Sequence, residues 1–60
     1  MNKLELIQAL EKLSKDMFDV GVEMNLYGGM TETAEHGLEL VAASKIASSW
    51  VDTLRENSDL

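Results

Sequence analysis

Two apolar runs with helical spacing, separated by one glycine pair and uninterrupted by proline, leave this 60-residue chain few folds to choose from. Leu6, Leu10, Leu13, Met17, Val20, Met24 and Tyr27 recur at alternating spacings of four and three, the seam that helices use to pack on helices. Leu4, Ile7, Phe18 and Val22 widen that arc, and Glu5, Gln8, Lys12, Lys15, Asp16, Asp19 and Glu23 form a solvated face. The spacing predicts a helix over about residues 2–26. Gly28-Gly29 can take positive φ without steric cost, so a turn over about 27–31 follows. Thr31 and Thr33 are candidate N-caps, and Glu32 and Glu35 would sit well at a helix N-terminus.

The second predicted helix covers about 32–56 and carries two kinds of row. His36, Leu40, Ala43, Ala47, Trp50 and Leu54 make its main stripe, with Ile46 and Val51 alongside. Ala34, Gly37, Val41, Ser44 and Ser48 make a row of mostly small residues that another helix backbone could approach closely. Gly21, with Ser14 one heptad earlier, points to a similar close crossing on the first helix, since an interior helical glycine costs about 1 kcal/mol relative to alanine. Asn57, Ser58 and Asp59 are expected to fray.

The expected fold is all-α: an antiparallel two-helix hairpin, one domain over 1–60, assembled into a homo-oligomeric helical bundle. Apolar residues cover more of the second helix than one partner can bury. A chain this short hides only about 60% of its unfolded surface, and small scaffolds need some extra staple. With no cysteine, disulfides and thiolate metal sites are excluded, and one histidine cannot build a metal cage by itself. Oligomerisation is the remaining device. Leu40, Ala43, Ala47, Trp50 and Leu54 are the expected oligomer interface, with the small row available for a higher assembly.

Charge narrows the partners. Five Lys and Arg stand against 11 Asp and Glu, a net charge of −6, and no basic stripe is present for nucleic acid. The longest apolar run, Leu40-Val41-Ala42-Ala43, falls far short of the roughly 20 residues that span a bilayer. Met1-Asn2-Lys3-Leu4-Glu5 places an acid where a signal peptide's apolar region would begin. A cytoplasmic protein with neither nucleic-acid nor membrane partners is the expectation.

Residues able to carry chemistry gather at the turn: Tyr27, Gly28, Gly29, Thr31, Thr33 and His36. Tyrosine offers a flat face, and helix N-terminal amides beside glycines can hold an anion. No Lys-Ser/Thr pair follows the glycines, so this is no P-loop, and Glu32 and Glu35 compete for the same dipole. The plainer reading is that Gly28-Gly29 turns the chain and that His36 is an interfacial histidine satisfied by a carboxylate or backbone oxygen. Trp50 and the seam methionines read first as packing residues, whereas Met30 falls outside the seam period, either exposed or stapled onto the second helix. No combination of acid, base and nucleophile is recognisable, so no catalytic residue, cofactor or metal site is assigned.

The block Tyr27-Gly28-Gly29-Met30, then Ala34-Glu35-His36-Gly37-Leu38-Glu39-Leu40, then Ala42 and Trp50, resembles short proteins encoded in phages and prophages, over about residues 20–51. That resemblance implies an accessory protein that inhibits a host protein or sequesters a host nucleotide signal. The expected function is thus non-enzymatic binding by a self-assembled hairpin. The turn residues would hold a small nucleotide-like ligand between subunits; in the alternative, a helix face binds a host protein, with Asp16, Asp19 and Glu23 meeting a basic surface.

Overall fold

The structure, a computed structural model, describes residues 1–57. It consists of helix α1, Lys3–Gly28, and helix α2, Glu32–Glu56, packed antiparallel with no strand among the described residues. Asn2 caps α1: its side-chain oxygen accepts the Glu5 N–H at 2.8 Å, satisfying one of the donors a helix start leaves over. The helix runs two residues beyond the expected end because Gly28 stays helical, and the reversal falls on Gly29, at φ 59° and ψ −118°. The Thr31 N–H and hydroxyl both donate to the Gly28 carbonyl, at 3.1 and 2.6 Å. Thr31 therefore occupies the N-cap position of α2 while spending its side chain on the end of α1. Thr33 lies inside the first turn of α2. At the far end the Asn57 N–H bonds to the Thr53 carbonyl at 3.0 Å, and Lys3 Nζ donates to the Asn57 carbonyl at 2.6 Å. Ser58 and Asp59 lie outside the described residues.

The two helices meet along their small residues. On α1 the inward row is Ile7, Leu10, Ser14, Met17, Gly21, Met24 and Gly28; on α2 it is Ala34, Gly37, Val41, Ser44, Ala47 and Val51. Both rows keep the four-and-three spacing, but the α1 row is turned from the expected seam. Leu10, Met17 and Met24 belong to both, whereas Leu6, Leu13, Val20 and Tyr27 are exposed and Ser14 and Gly21 take the inside. A three-residue connection holds the helix ends together, and close approach there requires small side chains. A Cβ on Gly21 would stand 2.7 Å from the Gly37 carbonyl oxygen; one on Gly37 would stand 2.5 Å from the Gly21 oxygen. Gly28 is equally tight against the backbone of Ala34. Interior glycines in both helices are thus explained by backbone contact.

Polar atoms tie the same seam. Ser14 Oγ donates to the Ser44 carbonyl at 2.8 Å, Ser44 Oγ to the Val41 carbonyl at 2.6 Å, and Asn25 Nδ2 to the Ala34 carbonyl at 3.2 Å. No buried side-chain polar atom among the described residues lacks a partner. This seam corrects one expectation: Ala34, Gly37, Val41 and Ser44 of the small row of α2 are taken up by α1, and only Ser48 stays exposed. Ala47, expected at the oligomer interface, is 2% exposed and packed within the hairpin.

The result is a rod. Its radius of gyration is 13.8 Å and its extents are 45 × 15 × 11 Å, against a radius of about 10 Å for a compact 60-residue domain. Its accessible surface is 4494 Å², where a globular monomer of 6.6 kDa would show about 3,900 Å².

Candidate functional site

Displacing the large side chains from the seam has a geometric consequence. At about 100° per residue, Leu6, Leu13, Val20 and Tyr27 lie on one flank of the α1 seam, and Leu4, Glu11, Lys15 and Phe18 on the other. On α2 the flanks are His36, Leu40, Ala43, Trp50 and Leu54 against Leu38, Lys45, Ser48 and Asp52. Glu11, Lys15, Phe18, Lys45, Ser48 and Asp52 line one open groove between the helices. These flanks therefore share one side of the hairpin, and the remaining two share the other. Both stripes expected from the sequence lie side by side on a single apolar face; they do not face each other.

That face is half wet. Leu13 is 53% exposed, Val20 51% and Trp50 56%, while Leu10, Met17, Met24, Leu40, Ala43 and Leu54 are part-buried along its midline. Ile46 adds to its edge. Trp50 is not core in the single chain because Ala47 and Val51 take the inward positions at its level. The opposite side mixes the exposed Leu4, Phe18 and Leu38 with ion pairs: Arg55 Nη2 to Glu11 Oε1 at 2.8 Å across the helices, and Lys15 to Asp19 at 3.3 Å along α1. Lys12 reaches Asp16 at 2.7 Å. The hydrogen bond from Asp16, reinforced by its charge, raises the Lys12 ammonium above the ordinary lysine value. All of these side chains are substantially exposed, so each pair contributes little to stability.

The six turn residues do not converge. A shallow recess at the turn is lined by Asn25, Gly29, Met30, Thr31, Ala34, Glu35 and Leu38, and it includes only Gly29 and Thr31 of the six. Tyr27 projects into solvent on the apolar flank. Gly28 is packed on Ala34, Thr33 points outward, and Gly29 has open space around the position a Cβ would take. The His36 Nδ1 lies 3.1 Å from Glu39 Oε1, and the ring is exposed on the apolar side. Met30 is fully exposed, with no staple onto α2. Within one chain these groups form no enclosed pocket.

Charge divides the rod lengthwise. The turn half, residues 19–41, carries Asp19, Glu23, Glu32, Glu35 and Glu39 and no lysine or arginine. The open half holds Lys3, Lys12, Lys15, Lys45 and Arg55, balanced by Glu5, Glu11, Asp16, Asp52 and Glu56 among the described residues. No group of three or more metal-ligating side chains gathers among the described residues, and no helix there is long and apolar enough to cross a membrane. Sequence spacing identified the apolar residues of this surface but not that both helices present them to the same side. The signal that could have done so is the coincidence of Ser14, Gly21 and Gly28 with Ala34, Gly37 and Ser44 in two small-residue rows. Compared with family models, curated proteins and solved structures, the chain matches none of them.

Proposed function

We propose that this chain is a non-enzymatic binding protein that works as a self-assembled helical bundle, two hairpins closing on each other through the apolar face. One observation carries this reading: large apolar side chains from both helices lie on one side of a rod whose own seam is built of small residues. The seam seals few large side chains, Ile7 and Val51 chief among them, and burial of apolar area is the main source of stability. A hairpin with so small a core gains from a second layer, and a four-helix bundle is the arrangement that supplies one. The rod's Cα footprint, 45 by 15 Å, amounts to about 700 Å² before side chains are counted, close to the ~800 Å² per partner of a standard interface.

Capture of a small ligand near the turn is the narrower form of this function, with Tyr27 and His36 as contacts supplemented by a second subunit. Glu23, Glu32, Glu35 and Glu39, in a half that holds no lysine or arginine, weigh against a nucleotide-like anion and favour an uncharged or cationic ligand. Binding of a host protein through the same apolar face is the second reading; its acidic rim, Glu23, Glu32 and Glu39, fits a basic amphipathic partner.

A pair of substitutions on opposite sides of the rod tests the assembly. Trp50→Lys should convert the protein to monomer in sedimentation analysis, since it puts a charge into the apolar face. Phe18→Lys, on the groove side, should leave the mass of the assembly unchanged. Equal behaviour of the two variants would contradict the proposal.

A further inference from the structure

Resting on that self-association, we infer that the second copy docks with its turn over the open end of the first, so that each Trp50 is delivered to the turn end of its partner. Two observations select this arrangement over one with both turns at the same end. The first is charge. Same-end pairing would lay two acid-rich halves against each other, with Glu23, Glu32, Glu35 and Glu39 from each copy, Asp19 being paired with Lys15 of its own chain. Opposite-end pairing sets each acid-rich half against a half whose lysines and arginine balance its acids, which removes the largest like-charge juxtaposition.

The second is the order of side-chain sizes along α2. His36, Ala43 and Trp50 are spaced seven residues apart on the apolar face, with the smallest in the middle. When turns lie at opposite ends, α2 packs on the partner's α2, and a two-fold axis at Ala43 brings the two small residues together. The same axis places Trp50 of each copy over the His36 level of the other, about 10 Å along the helix from the axis at 1.5 Å per residue. The two contacts are then identical, as an isologous interface requires. Same-end pairing instead sets α2 on the partner's α1, with Trp50 against Leu6 and Leu10, and the size gradient has no counterpart.

This dimer completes the turn site. His36, Met24 and Tyr27 of one copy gain an indole wall from the other, making a site shared between subunits out of residues that one chain leaves apart.

The chain has no cysteine, so a single introduced thiol reports unambiguously. Met30→Cys, at a fully exposed turn position, can carry a nitroxide without touching either seam. Double electron–electron resonance on the labelled full chain should give a distance of about 40 Å, the span between two turns at opposite ends of a rod with 1.5 Å rise per residue. A dimer with a label separation near the width of a bundle would leave the self-association reading intact and overturn this orientation. A monomer without dipolar coupling would overturn both. As an independent readout, Ala43→Cys should form an intermolecular disulfide under mild oxidation, because opposing positions at the axis meet the short Cα separation such a bond needs. A dimer in which Ala43→Cys never cross-links would overturn the axis at Ala43 and with it the placing of Trp50 over the partner's His36 level.

Discussion

The glycines decide the geometry of this molecule at the scale of single residues. Alanine normally favours a helix over glycine by about 1 kcal/mol, so Gly21→Ala and Gly37→Ala would be stabilising on an isolated helix. Here each new Cβ meets backbone of the opposing helix, which cannot swing aside. Both substitutions should instead destabilise, by about 1–3 kcal/mol as in other overpacked cores, read from urea or thermal unfolding by circular dichroism. Gly29→Ala has a different origin. Nothing lies near its new Cβ, but the backbone stands at φ 59° and ψ −118°, outside even the left-handed helical region, so it should lose about 1–3 kcal/mol through conformational strain. Of the turn residues, Tyr27 and Met30 offer exposed apolar surface, whereas Thr31 and Gly28 are spent on holding the reversal together.

On the scale of elements, the sequence made both helices and the turn legible, with α1 differing by one residue at its start and two at its end. A four-and-three spacing and a Gly-Gly break are local signals, and local signals specify local structure. The partner of each stripe was not legible, for a physical reason. An apolar arc reports that something covers it but not what does so. Two arcs compete on each helix: large side chains that bury more area, and small ones that permit backbone contact. The short connection settles the competition, because helices joined across Gly29–Thr31 must touch at Gly28 and Ala34 and continue along the small rows. Helix capping gives a test at this scale. Asn2→Ala removes the side-chain acceptor for the Glu5 N–H and should cost about 1 kcal/mol. Thr31→Ala should not unravel the start of α2, since its hydroxyl donates to Gly28; its loss should appear as fraying at the end of α1. Amide hydrogen exchange resolved along the chain distinguishes the two.

For the whole molecule, the hairpin is a single layer of two helices whose two sides differ. Ion pairs and a groove that includes Phe18 occupy one side, and the apolar side carries Leu6, Leu13, Val20, Ile46 and Trp50 in contact with water. An association driven by that apolar side between copies of charge −6 has a definite salt dependence. Screening weakens the repulsion between copies while leaving apolar burial intact, so the assembly should tighten as salt rises from low ionic strength toward about 0.15 M, where the Debye length falls to about 8 Å. Association through the charged groove would weaken over the same range, and a dilution series at two salt concentrations separates the cases. The turn residues could be listed from the sequence but not placed, because in the folded chain Tyr27 and His36 stand exposed on one side while Gly28 is packed on Ala34.

Sedimentation equilibrium on the unmodified protein, from micromolar to several hundred micromolar, tests the central claim most directly. The apolar face predicts a discrete assembly of at least two 6.6 kDa chains, with Trp50 fluorescence shifted to the blue as it forms. A single 6.6 kDa species across the whole range, with Trp50 emission typical of an indole in water, would contradict it.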